Sequence, residues 1–478
     1  MAKRYMKKNI LLAALVLSAL TLNQTYAAAK TTTVAKQATR AKTVATTQAA
    51  ARQVVPFSME SPKVIPASVD LNLEKAVHMA LVNNSSVKIS AAELNAAKAL
   101  KDQALGARWG DITLSHDIAQ GGYYNPDVSY GQYGPHSTYG TQVTLSFPLY
   151  TGGQLEGAIE KARKNYLSYR YALEGSYQSA KLNATTGYYD VLQASNTVTL
   201  CKETVDRLAD HLKNAQAQFD VGVVAKIDVL RSQVELASAQ QSLTKAENAY
   251  DLAISNLDNV IGLPLSTKLN LNEGLEYKPY NNTMDNCLTY AMANRPAVHQ
   301  AEAAVDMAKA AQKIANAGNL PTVGIGATQA WAGSGLRDND WPGLKNDNWK
   351  VGVSVSMNIW DYGVTAAKVA EAKANVIKAQ ETYRQTTDGV QLSVRNYYLS
   401  LREAEKRIST SSVAVAQAEE DYKIAQIRYQ AGVGTNTDVI DASVSLTNAK
   451  NNYIQALYDY NTSRAELEQA MGVPVLTD

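Results

Sequence analysis

The sequence predicts a mainly α-helical protein with a β-barrel portion, built from a helix–β-hairpin–long helix–helix unit written twice. Three observations carry this prediction. The chain repeats itself at a fixed spacing. Two proline-free helical stretches are far longer than a globular domain uses. Four strand-like segments lie between the helices, two with clean period-two alternation, and all five tryptophans sit in or beside such segments.

The repeat is explicit. Gly222-Val223, Asp228-Val229 and Gly262-Leu263-Pro264 recur as Gly432-Val433, Asp438-Val439 and Gly472-Val473-Pro474, each 210 residues later. Residues 143–153 align with 353–363 at the same spacing, and Tyr188-Tyr189 matches Tyr397-Tyr398 one residue out of step. Ala80, Asn83 and Val87 pair with Ala291, Asn294 and Val298 at a spacing of 211. So long a unit is not a solenoid repeat. The expected division is a first structural repeat over 70–274 and a second over 275–478, each supplying two membrane strands and long periplasmic helices.

The chain opens on a signal peptide, expected over 1–27. Lys3, Arg4, Lys7 and Lys8 precede a short apolar run, and small residues follow at Ala27, Ala28 and Ala29. The run is too short to cross a bilayer, and no cysteine lies nearby to carry a lipid. Residues 28–69, rich in Thr, Ala, Gln and Lys, form a flexible low-complexity lead-in. The net charge of +2 conceals a split, because all nine cations up to Arg52 face no acid. The remainder carries 37 basic against 44 acidic residues, which gives no reason to expect nucleic acid as a partner. Cys201 and Cys287 lie far apart and are expected as buried small residues.

The long helices run over about 153–219 and 363–430, each roughly 100 Å at 1.5 Å per residue. Gly157, Gly175, Gly187 and Gly389 lower their continuity, so local bends are expected. In the helices that follow, Val229, Leu236, Leu243, Tyr250 and Leu257 recur every seventh residue, matched by Val439, Leu446, Tyr453, Tyr460 and Leu467. Small residues three positions on, from Ser232 and Ala442, allow close, shallow-angled packing.

Strands are expected at 111–120, 139–150, 322–331 and 349–360. Val143, Leu145, Phe147 and Leu149 share one face of the second; Val351, Val353, Val355, Met357 and Ile359 share one face of the fourth. Each is long enough to cross a bilayer as a tilted strand. Trp109, Trp331, Trp341, Trp349 and Trp360 all sit in or beside these segments, as the aromatic girdle of an outer-membrane barrel does. The polar connections 121–137 and 332–348 belong outside the cell. Four strands cannot close a barrel, and an open edge in lipid leaves backbone groups unpaired, so several subunits must share one barrel.

This duplicated layout resembles the TolC-type outer-membrane efflux protein family over about residues 70–476. The turn segments 219–229 and 429–441 and the strand endings 147–153 and 358–363 carry the resemblance. It implies a homotrimer with a twelve-strand barrel and a twelve-helix periplasmic α-barrel. It implies two partners, a periplasmic adaptor and an inner-membrane pump or ABC exporter. It places a pore gate and acidic constriction at Asp438, Asp441, Tyr429 and Asp228. The adaptor-contacting tips fall at Val221, Gly222, Val223, Gly432 and Val433. The family's basic lock residue falls on Gly434, a departure from the pattern. Asp228 and Asp438 also have the ordinary reading of helix N-terminal acids, and Gly222 and Gly432 that of turn glycines.

No histidine spacing, paired cysteines or phosphate-binding Gly-Lys-Ser/Thr loop occurs, so neither an enzyme nor a cofactor is expected. The expectation is an outer-membrane exit duct of a tripartite efflux or type I secretion system, reaching into the periplasm. The alternative is an envelope-tethered structural or adhesive coiled-coil protein.

Overall fold

The computed structural model describes residues 68–122, 135–265, 267–271, 273–334 and 346–475. The expected signal peptide, nearly all of the lead-in, Trp341 and the middle of both polar connections lie outside the described residues.

Each half starts with two short helices. In the first, β1 (Ser68–Leu71) leads to α1 (Leu73–Asn83) and α2 (Ser85–Gly106). The Asn72 and Asn84 side chains cap these helices by accepting from Lys75 N and Ser86 N. The hairpin β2 (Asp111–Gly122) and β3 (Pro135–Tyr150) follows, then α3 (Gln154–Asp220) and α4 (Lys226–Ile261). The second half has α5 (Met284–Asn294), α6 (Pro296–Asn316), β5 (Thr322–Ser334), β6 (Asn346–Ser356), α7 (Val364–Gln430) and α8 (Asn436–Met471). Between the halves, β4 (Lys268–Leu271) pairs in parallel with β1.

α3 and α7 are each 67 residues and run without interruption. The glycines expected to bend them do not break them. Gly157 is instead a point of close approach: a Cβ there would lie 2.8 Å from Ile314 and 3.1 Å from the Ala310 carbonyl, both on α6. Near the sheet α2, α3, α6 and α7 pack side by side; towards the far end α4 packs on α3 and α8 on both α3 and α7. The heptad residues Val229, Leu257, Val439, Leu446, Tyr460 and Leu467 are buried in these seams. Cys287 is buried, whereas Cys201 is only half-buried, and both are free thiols.

The four hairpin strands form one antiparallel sheet in the order β2-β3-β5-β6. Its register puts Ile112 opposite Leu145, Leu145 opposite Ala327, and Ala327 opposite Val351. Ile112, Leu114, Ile118, Val351, Val353 and Val355 therefore share one face, and all are exposed. Ser354 and Gly324 sit opposite one another on the other face. β2 and β6 are edges, each paired on one side among the described residues.

Two strand expectations need correction. Leu149 does not continue the Val143–Phe147 row: the register shifts between Pro148 and Tyr150, and Tyr150 takes the place opposite Val323. Proline has no N–H for the ladder, so a bulge there costs no bond the strand could have made. β6 ends at Ser356 rather than at 360, because its partner β5 begins at Thr322, opposite Ser356. Met357 and Ile359 lie beyond the ladder.

The glycines of the long helices give an internal comparison. Gly157→Ala is expected to force α3 from α6 and to destabilise the protein by about 1–3 kcal/mol. Gly389, where a Cβ meets nothing within 4 Å, is expected to gain about 0.5–1 kcal/mol as Ala. Thermal unfolding of the two variants checks both signs.

Candidate functional site at the helical turns

The end of the helices distant from the sheet holds the residues that the resemblance places at a gate and at adaptor-contacting tips. α3 and α7 stop in the same way. Val223 N donates to Gln218 O at 2.8 Å and Gly222 N to Phe219 O at 2.8 Å. Val433 N donates to Arg428 O at 3.0 Å and Gly432 N to Tyr429 O at 3.1 Å. These paired bonds require a left-handed residue, and Gly222 and Gly432 have φ of 78° and 75°. Around both glycines space is open, and Val221, Val223 and Val433 project from the turns, 65–75% exposed.

The following helices start differently. At α8 Thr435 and Asp438 form a capping box: Asp438 N donates to Thr435 Oγ1 at 3.1 Å, and Thr435 N donates to Asp438 Oδ2 at 2.9 Å. Those bonds, the backbone one first, hold the Asp438 carboxyl below the usual carboxylate range. Asp228 occupies the matching place in α4, yet that helix has Ala225 at its start and no side-chain cap. Asp441 is exposed one turn into α8. At Gly434 a Cβ would lie 3.0 Å from Tyr429 N, so the turn is drawn tight where the family's basic residue would stand.

Tyr429 is turned inward. It is 4% exposed, packs with Ala425, Val439 and Ala442, and meets the His211 ring at 5.0 Å between centroids. Burial, and next the Asp228 carboxylate, raise its pKa, and its hydroxyl has no partner among the described residues.

Beside it lies a cluster that sequence reasoning did not assemble. The His211 Nε2 and Asn436 Oδ1 atoms are 2.5 Å apart; Ser232 Oγ donates to the same oxygen at 3.1 Å. Asn436 Nδ2 donates to the Asp228 carbonyl at 3.1 Å. All three side chains are buried. The knot ties α3, α4 and α8 together, with the Tyr429 ring of α7 packed against it at a tilt. Burial pushes the His211 pKa down, opposed in part by the bond to Asn436. His211 lacks any ligand spacing, and Asn436 is 225 positions away; the only signal in the sequence was a histidine interrupting an otherwise ordinary helix. The cluster offers no nucleophile with a base, and no group able to hold a metal occurs among the described residues. What it can do is hold four helices at one height.

The comparisons agree with this architecture. The family model described as outer membrane efflux protein matches residues 76–263 and 288–473. Outer membrane protein TolC of Escherichia coli (strain K12) is 26% identical over 310 residues, which cover 62% of this chain and 62% of that protein. The alkaline protease secretion protein AprF of Pseudomonas aeruginosa is 23% identical over 84% of this chain and 85% of its own length. The crystal structure of the outer membrane protein VceC from Vibrio cholerae superposes with a TM-score of 0.73 at 17% identity, covering 84% of this chain and 96% of that one. This likeness establishes the fold.

The knot sets a pH dependence. His211 has a folded pKa below its ordinary 6.5, so the opened state binds the proton more readily than the closed one. The cluster's stability is fully present above about pH 6.5 and weakens as pH falls through that value towards the lower folded pKa. Hydrogen-exchange protection of 211–232 and 429–442 is expected to drop between pH 7 and 5, and to do so much less in His211→Gln.

Proposed function

Because the chain belongs to the outer membrane efflux protein family, we propose that it is one subunit of an outer-membrane exit duct, a passive conduit for a tripartite efflux or type I secretion system. The single observation that carries this reading is the exposed apolar sheet face, joined directly to helices that reach roughly 100 Å away from it. Such a face is at home in hydrocarbon, and such a length spans a compartment. Trp349 lies towards one end of the sheet, with Trp109 and Trp360 beyond its other end, all highly exposed. A structural or adhesive rod has no use for this face.

Three copies together give a twelve-strand barrel and a tube of four helical rods per subunit. The sheet edges β2 and β6 support closure with further copies, since each lacks a neighbour on one side. Val221, Gly222, Val223, Gly432 and Val433 are the proposed contacts for a periplasmic adaptor, which links the duct to an inner-membrane pump or ABC exporter. Exposed valines on backbone-saturated turns suit a partner that covers apolar tips. Relatives named for alkaline protease secretion and for solvent efflux support both kinds of exporter.

The proposed gate lies at the same turns. Asp438 and Asp441, both exposed, and Asp228 contribute carboxylates to the narrow end. Asp438 stays ionised through its capping bonds, so the ring attracts cations and delays anions. Tyr429 contributes from behind, by packing that fixes α7 against α3.

Two measurements test the reading. Arg at Val355 is expected to impair assembly, since a mid-bilayer charge on the lipid face costs roughly 2–4 kcal/mol; Arg at Ser354, on the opposite face, mainly alters conductance. Equal tolerance at both sites defeats the membrane assignment. In bilayer recordings the intact channel is expected to be cation-selective, and Asp438→Ala with Asp441→Ala to lose much of that selectivity while oligomers persist. If the cap were the whole role of Asp438, the variant would lose about 1 kcal/mol of helix stability and keep its ion preference.

A further inference from the structure

The halves of the chain are equivalent element by element. α3 and α7 have 67 residues each and α4 and α8 have 36, and both pairs are offset by 210. The long helix of the first half meets the last helix of the second along one internal seam, α3 against α8. Several polar contacts mark it, Lys181–Glu468 and Lys450–Glu203 among them, and three lie at positions whose counterparts are all exposed. Tyr458 Oη donates to Asp190 at 2.6 Å, Gln193 Nε2 donates to Gln455 at 2.6 Å, and the His211–Asn436 contact closes the tip.

Shifting each position by 210 carries this seam onto the two flanks that have no such partner, α7 and α4. Asp190–Tyr458 becomes Ser400–Asn248, Gln193–Gln455 becomes Glu403–Lys245, and His211–Asn436 becomes Asp421–Lys226. All six seam residues are buried or half-buried, and all six counterparts are exposed. The counterparts are also complementary: the α7 stripe presents two acids and the α4 stripe two bases, each pair at matching height. Lys226, Lys245 and Asp421 form no ion pair within the chain among the described residues, whereas Glu403 is shared with Arg407 at 2.8 Å.

We propose that a second copy of this chain docks its α4 against α7 in the register of the internal seam, with Lys245–Glu403 and Lys226–Asp421 as the ion pairs between subunits. This rests on the oligomeric duct reading and adds the register and the residues. The tip is then held alternately by a buried neutral knot within each subunit and an ion pair between subunits.

Cross-linking tests the register in full chains with Cys201→Ser and Cys287→Ala. Lys245→Cys with Glu403→Cys, and Lys226→Cys with Asp421→Cys, are treated with a short bifunctional thiol reagent. Both pairs are expected to give covalent oligomers on heated denaturing gels. The mismatched pair Lys226→Cys with Glu403→Cys, displaced by roughly 27 Å along the helix, is expected to give none. Trimers on unheated gels with no excess of cross-linking in the matched pairs overturn the register and leave the duct standing. Monomers alone on unheated gels overturn the duct reading and the register with it. As a second readout, Lys245→Glu is expected to lower the temperature at which trimers dissociate, and Glu403→Lys in the same chain to restore it. A double variant no better than the single one overturns the ion pair.

Discussion

A sheet edge in hydrocarbon has no water to satisfy its amides and carbonyls, and each unpaired group there costs several kcal/mol. The duct architecture proposed for this chain depends on that constraint. The chain supplies four strands and two open edges, β2 and β6, so a barrel comes only from several copies. Once strands are shared around a ring, the helices that continue them must form a ring too. The duplication makes this geometrically simple. Each half brings one hairpin and one set of rods, and the α3–α8 seam inside the chain is a template for the seam between chains.

How much of this the sequence disclosed depends on the range of the interaction. The long helices, the four strands and the turns at Gly222 and Gly432 were legible because each rests on local chemistry: heptad spacing, period-two alternation, and a left-handed residue closing a helix. The capping role of Asp438 was legible for the same reason. Asp228 had the same reading but does not cap, because α4 starts from Ala225 and lacks the threonine that completes the box in α8. Leu149 was misplaced because a bulge depends on the ladder of the neighbouring strand, not on its own alternation. The end of β6 was misjudged because alternation outlasts the partner strand.

The His211 knot lay beyond local reasoning altogether. It joins residues from three helices, and nothing near His211 in the chain announces Asn436. Tyr429 shows the complementary limit. The resemblance placed it at the gate by position, but which way its ring turns is decided by α3, packed across from it. A tyrosine buried against a histidine fixes helices rather than presenting a charge to solvent. Resemblance transfers a position; packing assigns the role.

Gly434 ties these threads together. A basic side chain there would need a Cβ 3.0 Å from Tyr429 N, in a turn already drawn tight by bonds from Val433 and Gly434 to the Arg428 carbonyl. The turn therefore leaves little room for a side chain at this position. One step inward along the helices, the buried side chains of His211, Ser232 and Asn436 are joined by hydrogen bonds and tied to the Asp228 carbonyl. A buried polar cluster is specific because a half-made version leaves its groups unpaired in a low-dielectric interior. Such a lock resists salt and answers to protons, whereas an exposed ion pair answers to salt.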